Sequence, residues 1–187
     1  TGDPLFRGRS AETVAWLARE MLTGEGAFAA SLDADAGGHE GSFTVWKPAE
    51  VNDVLGAEEG AFFSRVYDIT AAGNFEGASI PNRLTHPERL SDADEARLAA
   101  ARENLLARRA ARIRPATDDK ILADWNGLMI AALAFAGASF GRPDWIAMAE
   151  RAFGFVSTTM QRDGRLAHSW RAGKAVYPGL ASDYGAM

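Results

Sequence analysis

Apolar positions along the chain recur mostly at helical spacing. Val14, Leu17 and Met21 predict an amphipathic helix from Ser10 to Leu22, with the Ser10 side chain as its cap. The same spacing, with Pro or acidic residues at the start of each segment, predicts helices at 48–55, around 62–67, and at 91–113, 118–136 and 144–160, and one that begins at Ser182.

Alternating apolar and polar positions predict two hairpins between these helices. The first pairs 27–33 with 42–46 and turns through the Gly-rich 36–41; the second pairs 165–170 with 174–177 and turns at 172–173. Residues 69–90 show no sustained period, and we predict a long ordered loop there, which is uncommon unless the loop has a function.

The arrangement of helices predicts a mainly α fold. The segment 118–136 has almost no polar face, so we expect it to be buried beside amphipathic neighbours. The order helix, hairpin, helix occurs around 10–55 and again around 144–187. A fully apolar helix alternating with an amphipathic one indicates two concentric layers, as in an α/α toroid. Both ends of the chain look cut, so we expect a fragment of a longer protein.

Composition narrows the classes of function. The chain has 187 residues with 20 Lys+Arg and 25 Asp+Glu, an acidic balance that argues against nucleic-acid binding. It has no Cys, which excludes disulfides, thiolate metal sites and a Cys nucleophile. The longest apolar run, around 128–140, is interrupted by Gly and Ser and is too short for a membrane span. We expect a cytoplasmic protein with no membrane partner.

The most unusual stretch places Asp33, Asp35, His39 and Glu40 within a run of glycines. A calcium loop would need a bidentate Glu where Thr44 stands, so we predict no metal site. A hairpin turn explains the glycines and one Asp. It does not explain three carboxylates, because like charges held together repel, and one of them is then favoured in its protonated form. Such a pair can supply an acid and a base for glycosidic cleavage or sugar isomerisation, with Asp35 and Glu40 as catalytic candidates and Asp33 as a substrate-binding one.

Three further residues are candidates for acid–base chemistry. Asp119 stands at the predicted start of helix 118–136, where capping is an equally good interpretation. Asp124, like Asn126, falls on the apolar helix, and a buried carboxylate there needs a partner. His168 alternates with Trp170 on a predicted strand, where it can shuttle protons or simply hold structure.

Five further residues are candidates for substrate binding. Aromatic rings can stack on the C–H face of a sugar, although large aromatics more often lie in a core. Glu76, flanked by Gly77 in the long loop, could act as a lid residue. The candidates are Trp46, Glu76, Trp125, Asp183 and Tyr184, the last two opening the final predicted helix, where capping is the alternative.

Several long phrases identify a family resemblance. AFAASLDADAGGHEGSFTVW (27–46), AGNFEG (72–77), TDDKILADWNGLMIAALA (117–134), GRLAHSWRAG (164–173) and LASDY (180–184) resemble, in this order, the family of spermatogenesis-associated protein 20 and its bacterial thioredoxin-domain relatives. The resemblance implies a six-hairpin glycosidase-like toroid, similar in architecture to N-acylglucosamine 2-epimerase, that follows a thioredoxin-like domain absent from this chain. Because such a toroid has six hairpins, the resemblance also implies that this chain supplies about half of one toroid domain, with no second domain. We predict no cofactor.

Two hypotheses from different classes follow. In the first, the chain is part of a carbohydrate-active enzyme, an isomerase, epimerase or glycosidase that acts on a sugar or other small molecule. In the second, it is a catalytically silent binding or scaffold module that serves the thioredoxin-like domain. Under either hypothesis, half a toroid leaves apolar inner-helix surface exposed, and we expect self-association through that surface.

Overall fold

The computed structural model describes residues 2–187, which are mainly helical with short antiparallel strand pairs between the helices. The helices are α1 Pro4–Glu20, α2 Pro48–Leu55, α3 Ala57–Val66, α4 Asp92–Ala110, α5 Ala123–Phe140, α6 Pro143–Thr159 and α7 Ala181–Ala186. The strands are β1 Ser31–Leu32, β2 Asp35–Ala36, β3 His39–Glu40, β4 Thr117–Asp118, β5 Ile121–Leu122, β6 Gln161–Arg162, β7 Arg165–Leu166, β8 Ser169–Arg171 and β9 Lys174–Val176.

The chain divides into two compact units. Unit 1 contains the residues up to Leu32 together with Thr117–Met187, and unit 2 contains Asp33–Ala116. Each unit has its own apolar core.

In unit 1, α5 packs along α6 and α7, and the three-stranded sheet β5–β8–β9 lies beside the start of α5. Val14, Leu17, Leu133, Trp145 and Val156 are among the buried side chains of its core. Two glycines allow the close helix packing. A Cβ on Gly127 would lie 2.6 Å from the Ala186 carbonyl oxygen, and one on Gly137 would lie 2.7 Å from the Ile146 side chain, so any larger residue would push α7 or α6 away from α5.

In unit 2, helices α2, α3 and α4 surround a core that includes Val51, Phe63 and Leu98. Arg112, just past the end of α4, donates hydrogen bonds to the carbonyls of Ser42, Phe43 and Val45. Its guanidinium also lies 4.0 Å from the centre of the Trp46 ring. Burial lowers the pKa of the Arg112 guanidinium. Arg112 therefore holds a turn of the chain in place.

Several predicted elements are confirmed. Helix α2 has the predicted bounds, and α3 and α6 lie where they were expected. Helix α4 is capped by the Ser91 hydroxyl, which accepts a hydrogen bond from the Asp94 N–H. The turn at 172–173 joins β8 and β9, and 69–90 contains no helix or strand, only isolated bridges.

Other predicted elements are wrong. Helix α1 begins at Pro4 with Asp3 as its cap, so Ser10 lies inside it; α7 follows Leu180, so Ser182 is not its cap. In the first hairpin, residues 27–33 do not pair with 42–46. Instead β1 pairs with β4, and β2 pairs with β3 around Gly37 and Gly38, because two positive-φ glycines permit a tight turn there. In the second predicted hairpin, only Ser169–Arg171 pairs with Lys174–Val176. Arg165–Leu166 pairs instead with Gln161–Arg162.

The segment expected to form one buried helix differs in two respects. Strands β4 (Thr117–Asp118) and β5 (Ile121–Leu122) precede α5, so Asp118 and Asp119 do not start that helix. The helix itself is apolar all round but only half buried, since Trp125, Leu128 and Phe135 are 54%, 65% and 77% exposed. Across residues 2–187, the structure shows no helix with the length and apolar character that crossing a bilayer requires.

Candidate functional site

The residues with the clearest functional arrangement are His168 and Asp183. Asp183 lies in the first turn of α7 and is fully buried. One of its carboxylate oxygens lies 3.0 Å from Nδ1 of His168, and the other lies 3.3 Å away. The carboxylate also accepts hydrogen bonds from the backbone N–H groups of Leu180, at 2.6 Å, and Asp124, at 3.1 Å. The buried charge is thus surrounded by donors, as a buried carboxylate requires.

The backbone of His168 is fixed between strand β9 and the start of helix α5. Its N–H donates to the Val176 carbonyl at 2.9 Å, and its carbonyl accepts from the N–H of Ala123, the first residue of α5, at 3.0 Å. The side chain is 34% exposed. Because a carboxylate can only accept, Nδ1 carries the hydrogen in the neutral ring, and Nε2 has a free lone pair. No residue in 2–187 hydrogen-bonds Nε2 in this structure.

Neighbouring predicted residues take part in the local structure. Tyr184 accepts the Leu166 N–H through its hydroxyl at 2.9 Å. Asp124 accepts the Trp125 N–H through Oδ1 at 2.8 Å, so its carboxylate caps the first turn of α5. Trp125, the next residue in the chain after Asp124, has a solvent-exposed ring. The structure therefore joins the side chains of His168 and Asp183, which the sequence proposed as separate candidates, whereas Asp124 contacts Asp183 only through its backbone N–H.

Asn126 is a buried polar residue on α5, and its hydrogen bonds give it a structural role. It is 1% exposed. Its Oδ1 accepts the Phe28 N–H at 2.8 Å, and its Nδ2 donates to the Phe28 carbonyl at 3.0 Å and to the Leu122 carbonyl at 2.9 Å. One amide thus satisfies both backbone groups of Phe28 and ties that segment to the start of α5.

Asp118 and Asp119 lie in exposed ion pairs. Asp119 pairs with Arg171, whose Nε donates to Oδ1. The Lys120 ammonium lies 3.1 Å from the Asp118 carboxylate, and its hydrogen bond is the main reason that the pKa of Asp118 is lowered from its ordinary value of 3.8. The ion pair therefore stabilises the folded chain at a pH above the ordinary pKa of Asp118. This stabilisation is lost as the pH falls through the lowered pKa.

We expect Lys120→Gln to raise the pKa of Asp118 towards 3.8, because the neutral amide removes the ammonium that favours the ionised carboxylate. Titration of the side-chain carboxyl signals by NMR measures this change. Lys174→Gln, an exposed lysine on β9, is the matched control and should leave the pKa of Asp118 unchanged. An unchanged pKa in Lys120→Gln would contradict the assignment of the ion pair.

In unit 2, the acidic residues of the first Gly-rich stretch form a small hairpin. Asp35 and Glu40 are direct cross-strand partners in β2 and β3, and both are exposed. Side chains in such positions share one face of a ladder, so the two carboxylates are brought together. Asp33 accepts the Asp35 N–H at 3.1 Å, as expected of a turn residue. In the part of the chain that the structure describes, no group of three His, Asp or Glu is placed to hold a metal ion.

The two remaining candidates of unit 2 lie in different environments. Trp46 is 5% exposed, beneath the Arg112 guanidinium, and its backbone pairs with that of Ser79. Glu76 is exposed and has a left-handed backbone, with φ of 47°, in the turn that Phe75 and Ala78 close. Their roles in substrate binding stay predictions.

Comparison with known proteins gives one set of relatives. No family model matches the chain. The chain is 26% identical to spermatogenesis-associated protein 20 of Mus musculus over 92% of its length, and 29% identical to that of Homo sapiens over 86%. The matched regions make up 26% and 24% of those proteins, so the chain spans about a quarter of the curated relatives.

Proposed function

We propose that unit 1 contributes a general acid–base group, His168 oriented by Asp183, to a reaction on a sugar. The reaction class is isomerisation or epimerisation at a sugar carbon, or hydrolysis of a glycosidic bond. One observation carries the proposal: a fully buried carboxylate holds Nδ1 of a partly exposed histidine and leaves Nε2 without a partner. Nε2 is then the atom that accepts or returns a proton.

The energetics of Asp183 support this role. Burying a carboxylate is costly unless it is hydrogen-bonded, and three N–H groups compensate for it here. A helix cap would need only the Leu180 N–H, and an exposed Asp would serve equally well. The arrangement instead matches the general requirement for a base whose ring is held in one tautomer and orientation by a third group.

We also propose that the chain forms part of an α/α toroid, as the resemblance implies. The exposed apolar face of α5 supports this proposal, because an inner helix of an incomplete ring would present such a face. We propose further that this face is covered by a second copy of the chain or by helices of a longer protein, and that the thioredoxin-like domain of such a protein is a partner.

The decisive experiment measures the exchange of a sugar C–H proton with solvent deuterium. The 187-residue chain would be incubated with free sugars and amino sugars in D₂O, and loss of the C2 proton signal would be followed by ¹H NMR, together with release of reducing ends from disaccharides. We expect His168→Gln to reduce turnover about 100-fold or more, the usual contribution of a positioned acid–base group.

His86→Gln is the matched control, since His86 lies in the loop 69–90 near Glu88. It should leave turnover unchanged. Asp183→Asn should reduce turnover as well, and ¹⁵N NMR of the His168 ring should show a changed ratio of the two tautomers. Turnover that survives His168→Gln would overturn the proposal.

A second candidate function is a catalytically silent binding or scaffold module. The observation that favours it is that several predicted site residues have local structural partners: Asp33 binds its own turn, Asp124 caps α5, and Asp119 pairs with Arg171. The absence of any turnover across the sugar panel would favour this function.

A further inference from the structure

Unit 1 contains a pocket of about 160 Å³ that the proposed reaction does not use. Its walls come from the end of α1, from residues 28–30 and from the start of α5. Neither His168 nor Asp183 lines it, so it is separate from the acid–base pair. The apolar side chains of its walls include Trp16, Met21, Phe28, Leu122, Trp125 and Met129.

Polar groups in the walls of this pocket have partners within the protein. Asn126 is the polar side chain there, and its amide bonds backbone groups of the chain. The Ala29 N–H donates to the Met21 carbonyl at 2.9 Å, and the Ala30 N–H donates to a carbonyl of β4 at 3.0 Å. Among the described residues, none that lines the pocket carries a charge. A charged or hydroxyl-rich ligand would therefore lose its hydration here without compensation.

Two partly exposed tryptophans line this pocket beside buried residues. Trp16 on α1 and Trp125 on α5 are 38% and 54% exposed, whereas Phe28 is 5% exposed. An indole ring offers a ligand a large, flat apolar face. Met21 and Met129 have unbranched side chains that adapt to the shape of a ligand, and their sulfur atoms interact favourably with aromatic rings. The walls are therefore suited to an aromatic ligand.

The volume of the pocket limits the size of that ligand. An apolar cavity of about 150 Å³ holds one benzene molecule. A water molecule needs about two to four polar partners to be held in a cavity, and these walls offer few, so an apolar group displaces water from the pocket favourably. The pocket thus matches a single six-membered ring in both size and chemistry.

We propose that this pocket binds a small uncharged compound that carries one aromatic ring. The ring packs against Trp16, Trp125 and the two methionine side chains, and a polar substituent on the ring stays in solvent. The proposal does not rest on catalysis at His168, because that residue does not line the pocket.

The test is a titration of the 187-residue chain with phenol, followed by NMR of ¹³C-labelled methionine methyl groups. Met21 and Met129 line the pocket, whereas Met148 and Met160 are buried elsewhere in the core of unit 1. Because an aromatic ring shifts the signals of methyl groups beside it, we expect saturable shifts for the first two methionines and none for the other two. We expect a dissociation constant on the order of 1 mM for phenol. Benzoate and glucose, the charged and hydroxyl-rich comparisons, should bind at least about tenfold more weakly.

Two variants test the walls of the pocket. Trp16→Ala removes a wall and Ala30→Leu fills part of the space, so each should weaken phenol binding roughly tenfold. Phe6→Ala is the matched control, because Phe6 is an exposed aromatic residue on the same helix as Trp16 but does not line the pocket. It should leave phenol binding unchanged. Unchanged signals of Met148 and Met160 show that each variant is folded.

Two further variants separate this pocket from the other features of unit 1. His168→Gln and the double variant Leu128→Gln, Phe135→Ser should leave phenol binding unchanged, since none of these residues lines the pocket. Loss of binding in the double variant would place phenol on the exposed face of α5 and overturn the proposal. It would also be overturned by an absence of saturable shifts, by equal affinities for phenol and glucose or benzoate, or by full phenol affinity in Trp16→Ala.

Discussion

Replacing Asn126 by Ala should lower the free energy of unfolding by about 3 kcal/mol, because several buried backbone groups lose their partner at once. The amide of Asn126 bonds the N–H and carbonyl of Phe28 and the carbonyl of Leu122. No water can replace it without entering the core, since Asn126 and Phe28 are both buried. Urea denaturation followed by circular dichroism and tryptophan fluorescence measures the change.

Two further variants make this prediction specific to the hydrogen bonds. Asn104→Ala removes the same side chain from an exposed position of α4 and should change stability by no more than about 0.5 kcal/mol. Asn126→Asp keeps the shape but turns an acceptor towards the two carbonyls, so it should be at least as destabilising as Asn126→Ala. Equal midpoints for Asn126→Ala and Asn104→Ala would show that the amide has no such role.

The exposed face of α5 should cause the chain to self-associate. Leu128 and Phe135 are 65% and 77% exposed, on a helix whose other residues are mostly apolar. Burying each side chain in an interface is worth about 1.5–3 kcal/mol, so the double variant Leu128→Gln, Phe135→Ser should weaken association roughly 100-fold. Light scattering after size-exclusion chromatography, at several concentrations, measures the mass of the species.

Leu84→Gln is the matched control for this experiment. Leu84 is 85% exposed but lies in the long loop of unit 2, outside any helix. Its replacement should leave association unchanged. A chain that stays monomeric at every concentration would contradict self-association and would count against the toroid, because an inner helix would then face water without a partner.

The elements that could be predicted from the sequence are those with local determinants. Pro48 and Gly56 bound α2, and Ser91 caps α4. The first hairpin could not be predicted, because β1 pairs with β4 and not with the next apolar segment. Alternation indicates that a segment is extended, but it carries no information about which distant segment is its partner.

The candidate site was predicted in its parts but not in its connections. His168 and Asp183 were both candidates, with different roles, and only the folded chain shows that they form one pair across 15 residues. Asn126 could be flagged because an amide on an apolar helix needs a partner, yet nothing local identified Phe28 as that partner.

The pairing of β1 with β4 has a consequence for how this chain is assembled. The backbone leaves unit 1 after Leu32 and comes back at Thr117, and these two residues are direct partners in an antiparallel pair. Their Cα atoms are therefore only about 5 Å apart. Unit 2 is therefore an insertion in unit 1, and its first and last residues lie next to each other at the β1–β4 pair. A unit inserted in this way can be lengthened or replaced between β1 and β4 while the hydrogen bonds between these two strands stay in register.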